Sequence, residues 1–285
     1  MIVDVSKKFL IIGLGLMGGS YARALKKYGF RVTAITRSQR SIDYALREKI
    51  IDEGSIDVEE RLVKEADVII FSLYPHVFIE WVEKYQSLFK KGALITDVTG
   101  VKKSLVYKVQ EILRPDVEFI SAHPMAGKEV GGVENSSEKM FVGANYIVTP
   151  TEKNTKSAID TCKEIGSLLG FSTISILSPE EHDDMIGFLS QLTHCIAITL
   201  MTCNDCENME KYTGDSFRDL TRIARINEVM WSELFLANKA SLLKQMDAFM
   251  AKFNELKTMI ATDDMESMKK MMIHSTERRA LFDKK

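Results

Sequence analysis

The sequence predicts an α/β protein: an N-terminal, doubly wound parallel sheet of the Rossmann type, followed by an all-helical domain. Short apolar runs alternate with helical patterns in the first half of the 285-residue chain, and a glycine-rich turn follows the first run. After Leu177 the pattern becomes almost wholly helical. We therefore expect two domains, residues 1–177 and residues 178–285.

The predicted strands are short apolar runs separated by amphipathic segments such as Ser38–Lys49 and Pro75–Lys90. The runs are Phe9–Ile12, Val32–Ile35, Val68–Leu73, Ala93–Thr96, Phe119–Ser121, Tyr146–Val148 and Thr173–Ile176. Ligands of such sheets bind beyond the carboxyl ends of the strands. Side chains that directly follow the runs are therefore candidates for a functional site.

The turn after the first run, Gly13-Leu14-Gly15-Leu16-Met17-Gly18, is typical of a dinucleotide site. Gly13 permits the tight turn, Gly15 lets a pyrophosphate approach the backbone, and Gly18 lets helix and strand pack closely. The helix that follows points its N-terminus at the phosphate charge. A glycine-rich turn without a ligand is the structural alternative, but the strand and helix around the motif favour a cofactor.

The end of the second strand indicates which dinucleotide is bound. NAD enzymes carry an acid about twenty residues after the glycines, and Thr36 stands there instead, followed by Arg37, Ser38 and Arg40. These side chains can bind a 2′-phosphate, so NADP is favoured over NAD, although both arginines could instead face solvent. The predicted cofactor site comprises Gly13, Gly15, Leu16, Met17, Gly18, Thr36, Arg37, Ser38, Arg40, Leu73 and Tyr74.

Two later strand ends carry polar groups. The turn Asp97–Lys102 follows the fourth run, beside the expected nicotinamide position. His123 follows the fifth run, and a histidine accepts a proton near neutral pH without unusual tuning. The alternative is a structural histidine that is bonded to the backbone.

The helical half offers further candidates. Ser178-Pro179-Glu180-Glu181 has the cap, first-turn proline and acidic residues of a helix start, and the helical pattern runs to about Cys203. Ser190 and His194 share a face of that helix, although Ser190 could simply bond the helix backbone and His194 could be an interface residue.

A pair of charged residues lies further along the chain. Arg222 follows Asp219 by three residues, so the two can pair on one helix. An arginine that is oriented in this way is suited to binding a carboxylate through two hydrogen bonds. A surface ion pair is the alternative.

The order of these motifs resembles the prephenate/arogenate dehydrogenase family over nearly the whole chain. The matching segments are Gly13–Ser20, Asp97–Lys102, His123–Glu129, His182–Asp183, Ser190–His194, Asp219–Ala224, Met230–Trp231 and Asn238–Lys239. The resemblance implies oxidative decarboxylation of prephenate to 4-hydroxyphenylpyruvate in tyrosine biosynthesis, with arogenate as an alternative substrate. It also implies a homodimer formed by the helical domain.

The resemblance also implies roles for individual residues. His123 is the catalytic histidine that polarises the ring hydroxyl and accepts its proton. Arg222 holds a substrate carboxylate and Asp219 helps to orient it. His194 and Ser190 lie on the substrate side. Trp231 is an aromatic residue near the site that could reach from the neighbouring subunit.

Two features depart from the family pattern. Many relatives have a serine where this chain has Gly100, and the adjacent Thr99 is the candidate catalytic hydroxyl in its place. The chain also ends at Lys285, and we expect neither a regulatory ACT domain nor a chorismate mutase domain after it.

Composition and net charge narrow the classes of protein to which the chain can belong. A net charge of −2 gives no basic surface for nucleic acid, and we expect no membrane span or signal peptide. Four cysteines in a long chain favour a cytoplasmic protein with reduced thiols, and no metal site is predicted. Two alternatives to this family remain. One is another two-domain dehydrogenase, such as a hydroxyacid dehydrogenase, and the other is a dinucleotide-binding sensor without turnover.

Overall fold

The computed structural model describes residues 4–283 and confirms the predicted α/β class. Six parallel strands form the main sheet in the order β3-β2-β1-β4-β5-β6. They are β1 (Lys8–Ile12), β2 (Arg31–Ile35), β3 (Glu53–Ser55), β4 (Val68–Phe71), β5 (Leu94–Asp97) and β6 (Glu118–Phe119). The strand order reverses between β1 and β4, which is the point where such sheets bind dinucleotides.

Helices cover both faces of this sheet because alternate strand residues bury their side chains on opposite sides. Phe9 and Ile11 of β1 belong to one core, and Leu10 and Ile12 belong to the other. The helices of this part are α1 (Leu16–Lys27), α2 (Gln39–Arg47), α3 (Glu60–Glu65), α4 (Pro75–Tyr85), α5 (Lys103–Ile112) and α6 (Lys156–Leu169).

A second sheet changes the predicted strand arrangement. It contains β7 (Ser121–Met125), β8 (Asn145–Thr149) and β9 (Thr173–Ile176), with β7 antiparallel and β9 parallel to β8. The last two predicted runs therefore belong to a small mixed sheet and not to the main one. The predicted strand Phe119–Ser121 is divided at Ile120, so that one extended segment contributes to both sheets.

The polar strand β3 was not predicted. Its sequence, Glu53-Gly54-Ser55, has no apolar side chain, and its only strand partner in residues 4–283 is β2. Strand pairing here depends on backbone hydrogen bonds, which no hydrophobic pattern reports.

The chain after Leu177 is helical, as predicted. Ser178 caps α7 in a reciprocal capping box with Glu181, which confirms the predicted helix start. The single helix expected up to Cys203 contains a π-helical turn at Gly187–Leu192. The helices are α7 (Pro179–Ile186), α8 (Thr193–Thr202), α9 (Asp215–Thr221), α10 (Glu228–Ala237), α11 (Lys239–Ala261) and α12 (Met265–Ala280).

The chain divides into two compact units, one up to Asn238 and the other from Lys239. The first unit includes α7–α10, so it extends past residue 177, and the predicted boundary there remains a prediction. By length and composition alone, the helical stretch Pro179–Thr202 could cross a membrane. It also carries His182 and Asp183, which are buried and hydrogen-bonded to the sheet domain.

Candidate active site

The glycine-rich turn has the shape that a pyrophosphate requires. Gly13 has a φ of +95°, and a Cβ there would lie 2.3 Å from the carbonyl oxygen of Ser72. A Cβ at Gly18 would lie 2.0 Å from the carbonyl oxygen of Gly13. At Gly15 a Cβ would meet no atom within 4 Å, and this residue begins α1 without a side-chain cap. Two glycines therefore allow the turn to pack, and the third leaves open space in front of unpaired helix N–H groups.

The other predicted cofactor residues surround this turn. Leu73 lies against Gly13, with its Cδ2 2.8 Å from the position of a Cβ there. Tyr74 begins α4, and its hydroxyl lies 3.5 Å from Nδ2 of Asn227. Leu16 and Met17 form the first turn of α1. These positions are consistent with a dinucleotide that lies across the switch point of the sheet.

The loop between β2 and α2 presents positive charge. Ser38 caps α2 by accepting a hydrogen bond from the N–H of Ser41 at 3.2 Å. Arg37 is exposed and makes no ion pair within residues 4–283. Arg40 lies 3.6 Å from a carboxylate oxygen of Glu134, which places an acid near the predicted phosphate site. Thr36 donates its N–H to the carbonyl of Ser55 at 3.1 Å.

His123 is one end of a chain of buried polar groups. It lies inside β7, and not after a strand as the sequence predicts. Its Nδ1 is 2.9 Å from Nε2 of His182, and Nδ1 of His182 is 2.7 Å from Oδ1 of Asp183. His182 and Asp183 are buried, whereas His123 is partly buried. A structural histidine bonded only to backbone is therefore not what the structure contains.

Asp183 also holds the start of α5. Its two carboxylate oxygens accept the backbone N–H groups of Lys102 and Lys103, each at 2.9 Å. The helix has no cap from its own N-cap side chain. Asp183, on α7, therefore supplies the missing acceptor and connects the helical region to the sheet domain. His182 and Asp183 form one of the segments that match the family, but neither residue was predicted to belong to the site.

Thr99, the predicted catalytic hydroxyl, is bonded inside the turn after β5. Its hydroxyl donates to the carboxylate of Asp97, and the residue is 5% exposed. The same carboxylate pairs with the fully buried Lys102 at 2.9 Å. Lys102 also donates to the carbonyl oxygen of Ala122 at 2.7 Å. The turn after β5 is thus a closed ion-pair network, in which every one of these groups already has a partner.

Gly100 lies beside His123. A Cβ at Gly100 would stand 3.8 Å from Cε1 of His123 and 3.6 Å from Cδ1 of Leu234, both ordinary contacts. A Cβ is therefore tolerated at residue 100, next to the imidazole.

Burial keeps the two rings of the chain neutral. Desolvation lowers the pKa of His123 well below its ordinary value of 6.5, and His182 and Lys102 lower it further. Desolvation also lowers the pKa of His182, although its hydrogen bond with Asp183 acts in the opposite direction. Near pH 7, His123 is therefore an uncharged base.

Arg222 and His194 belong to a second cluster. Arg222 pairs with Glu129, from the loop after β7, and not with Asp219 as predicted; Asp219 is exposed. Nδ1 of His194 donates to the carbonyl oxygen of Ser190 at 2.9 Å, so the contact with Ser190 is through its backbone. Glu129 and Arg222 also interact electrostatically with His194, so Arg222, His194 and Ser190 lie in one neighbourhood, whereas Asp219 makes no ion pair within residues 4–283.

Helix α10 spans the two clusters. The ring of Trp231 packs against His194 of the same chain, with centroids 3.7 Å apart and the ring planes tilted by 32°. Three residues later, Leu234 lies against Gly100 beside His123. The spacing of three places both side chains on one face of the helix.

Two buried amides hold α10 in place; both lie in segments that match the family, but neither was predicted to have a role. Gln191 donates to the carbonyl oxygen of Leu234 at 3.0 Å. Asn238 donates to Gln191 and to the carbonyl oxygen of Asp183, both at 2.8 Å. Their signal in the sequence is an amide in an otherwise apolar helical pattern, which indicates a buried hydrogen bond only when its partner is known.

The site combines a dinucleotide turn at the switch point of the sheet with a neutral histidine at the same edge and an arginine nearby. This combination defines a nucleotide-dependent dehydrogenase with a helical second region. Family models for the prephenate dehydrogenase nucleotide-binding domain and for its dimerization domain match residues 21–174 and 178–274. The chain belongs to the prephenate dehydrogenase family.

Similar proteins agree with this assignment. The chain is 32% identical to a prephenate dehydrogenase of Bacillus subtilis, over 91% of this chain and 71% of that protein. It is 30% identical to a cyclohexadienyl dehydrogenase of Zymomonas mobilis, over 92% and 91%. A crystal structure of A. aeolicus prephenate dehydrogenase with hydroxyphenyl propionate and NAD+ matches with a TM-score of 0.90 and 31% identity, over 97% and 98%.

Proposed function

We propose that this chain catalyses the NAD(P)-dependent oxidative decarboxylation of prephenate to 4-hydroxyphenylpyruvate in tyrosine biosynthesis. The observation that carries the proposal is His123: a neutral, partly buried base that lies beside Gly100 in the turn after β5. A sensor without turnover would have no need of such a base.

The residues of the chain would divide the chemistry as follows. His123 accepts the proton of the ring hydroxyl as the carbon–oxygen double bond forms. Arg222 holds a substrate carboxylate. The bound dinucleotide supplies the acceptor for the hydride that leaves the same ring carbon. Loss of the ring carboxylate as carbon dioxide then returns its bonding electrons to the ring, which becomes aromatic.

Arogenate is the second candidate substrate. It carries the same ring as prephenate and differs by an amino group in place of the side-chain keto group, far from the hydride centre. Purified protein should be assayed with each substrate and each oxidised cofactor by following nicotinamide absorbance. Turnover with prephenate supports the proposal, turnover with arogenate alone selects the alternative, and turnover with neither contradicts both.

We further propose a preference for NADP. Residue 36 is a threonine and not an acid, and Arg37 makes no ion pair with any residue that the structure describes; both features favour a 2′-phosphate. Glu134 offsets part of the charge of Arg40. Arg37→Ala should lower catalytic efficiency with NADP about tenfold or more and leave that with NAD nearly unchanged. Thr36→Asp should shift the preference toward NAD. Preference for NAD in the parent protein would contradict the proposal.

The remaining expectations concern assembly and location. We propose a homodimer formed by the helical region, with residues 1–177 as the dinucleotide-binding domain and residues 178–285 as the substrate and dimerisation domain. The family to which the chain belongs has a dimerization domain at residues 178–274, which supports this arrangement. The partners are small molecules, with no nucleic acid or membrane, and the location is the cytoplasm.

A further inference from the structure

We propose that His182 and Asp183 are positioning residues that hold His123 in one neutral tautomer, with its proton on Nδ1 and its lone pair on Nε2. The inference rests on the proposed dehydrogenase function, in which His123 accepts the proton of the substrate hydroxyl. A ring with the opposite tautomer would present an N–H to that hydroxyl and could not accept its proton.

The position of each proton along the hydrogen-bond chain can be assigned by starting from Asp183. Its carboxylate oxygens lie 2.9 Å from the backbone nitrogens of Lys102 and Lys103, and backbone N–H groups can only donate. Both oxygens are therefore acceptors. Nδ1 of His182 lies 2.7 Å from Oδ1, so it must carry a proton and donate it to this oxygen.

The order continues through the two rings. Because the proton of His182 is on Nδ1, the neutral ring has its lone pair on Nε2. That nitrogen lies 2.9 Å from Nδ1 of His123, which therefore donates to it. In the neutral His123 ring the remaining lone pair is then on Nε2, the only ring nitrogen not used by the chain of hydrogen bonds.

The surroundings preserve this order. His182 and Asp183 are 0% and 2% exposed, so water does not compete for their bonds. Asn238 fixes the backbone of Asp183 through its carbonyl oxygen. The ionisable groups around His123 are His182 and Asp183 on α7, Lys102 in the turn after β5, and Asp97 at the end of β5. Burial favours the uncharged form of both rings, as the lowered pKa values of His123 and His182 indicate.

The direct test is the protonation of the ring nitrogens in the full-length protein. The chain has five histidines, and ring-¹⁵N labelling with NMR distinguishes a protonated nitrogen from one with a lone pair. His123→Asn assigns the signals of His123. We expect protonated Nδ1 and unprotonated Nε2 at His123 near pH 7. A proton on Nε2 would overturn the proposal, and the measurement needs neither substrate nor turnover.

Variants of His182 test the consequence for catalysis. His182→Leu removes the acceptor for Nδ1 of His123, so the His123 ring should no longer be held in one tautomer. We expect kcat to fall about 10- to 1000-fold and KM to change little. It should also move the acidic limb of the kcat profile to higher pH, since His182 lowers the pKa of His123. His182→Gln restores an acceptor and should recover part of kcat. A merely structural role would move neither the tautomer nor the pH limb.

Glu180→Gln is the matched control. It replaces a polar side chain on the same helix, α7, and Glu180 contacts the hydroxyl of Tyr107 instead of the His123 chain. It should leave kcat and the NMR signals of His123 unchanged. If His182→Leu keeps the parental tautomer and kcat, the proposal is wrong. If the parent protein turns over neither substrate, the proposed function fails, and the NMR result still decides the tautomer.

Discussion

At the scale of single residues, His123 is the group on which turnover should depend. His123→Asn keeps a polar side chain of similar size but removes the base, so kcat should fall about 100- to 10,000-fold. Dinucleotide binding, measured by fluorescence titration, should stay near the parental value because His123 does not lie in the glycine-rich turn. Near-normal turnover in this variant would remove His123 from the mechanism.

The pH dependence of the parent enzyme follows from the direction of the His123 pKa shift. The neutral ring is the active form, so kcat rises with pH as His123 loses its proton. Burial places that pKa well below 6.5, and the acidic limb should therefore lie below pH 6.5, not at the value of a free histidine. A kcat profile between pH 5 and 8 checks this, and His123→Asn should abolish the limb.

Arg222 should contribute to substrate binding more than to the chemical step. Its ion pair with Glu129 is exposed, and exposed pairs contribute only about 0–1 kcal/mol, so a substrate carboxylate can replace Glu129. Arg222→Ala should raise KM about 10- to 100-fold, which corresponds to about 1.5–3 kcal/mol, with a smaller effect on kcat. Arg222→Lys should recover only part of this because it lacks the planar fork. An unchanged KM would make the residue a surface ion pair.

Residue types and their order predicted which side chains gather at the site, but not how they pair. His123, His194 and Arg222 were all identified, yet the partner of Arg222 is Glu129, 93 residues away, and not the nearby Asp219. Thr99 was the candidate for a catalytic hydroxyl beside Gly100, and in the structure its hydroxyl donates to Asp97. Spacing on one helix is a local property, whereas these pairings are made by loops that meet only in the folded chain.

At the scale of elements, different glycines of the glycine-rich turn serve packing and ligand binding. Gly18→Ala places a methyl group 2.0 Å from a backbone oxygen, so it should destabilise the protein by about 1–3 kcal/mol, seen as a lower melting temperature.

Gly15→Val tests ligand binding at the same turn, because a Cβ at residue 15 has no protein atom within 4 Å. It should leave the melting temperature nearly unchanged and weaken dinucleotide binding at least about tenfold, or 1.4 kcal/mol. Undiminished binding by Gly15→Val would mean that the pyrophosphate lies elsewhere.

The alternation of apolar runs and helices predicted the class of the main sheet because a parallel sheet covered on both faces needs continuous apolar strands. It did not predict which strands belong to that sheet. Periodicity cannot distinguish β6 from β7, which follow each other along one extended segment, and Ile120 marks the change of sheet. It also cannot indicate the π-helical turn at Gly187–Leu192, because a segment of 6 residues is too short to show a period of its own.

At the scale of the whole molecule, the helices after Lys239 have an exposed apolar surface. Phe253 and Ile260 on α11 are each 60% exposed, and their spacing of seven residues places them on one face of the helix. Apolar side chains repeated on one exposed face commonly mark a protein–protein interface. Both residues lie within the match to the family dimerization domain, residues 178–274.

We therefore expect light scattering at micromolar concentration to give about twice the chain mass of 32.3 kDa. Phe253→Asp should weaken the dimer because it would bury an unpaired charge. Ala251→Asp is the matched control: it adds the same charge to α11, but residue 251 is about 160° around the helix from residue 253, so dimerisation should persist. A monomeric parent protein would contradict the assembly. Equal effects of the two substitutions would instead move the interface away from the Phe253 face.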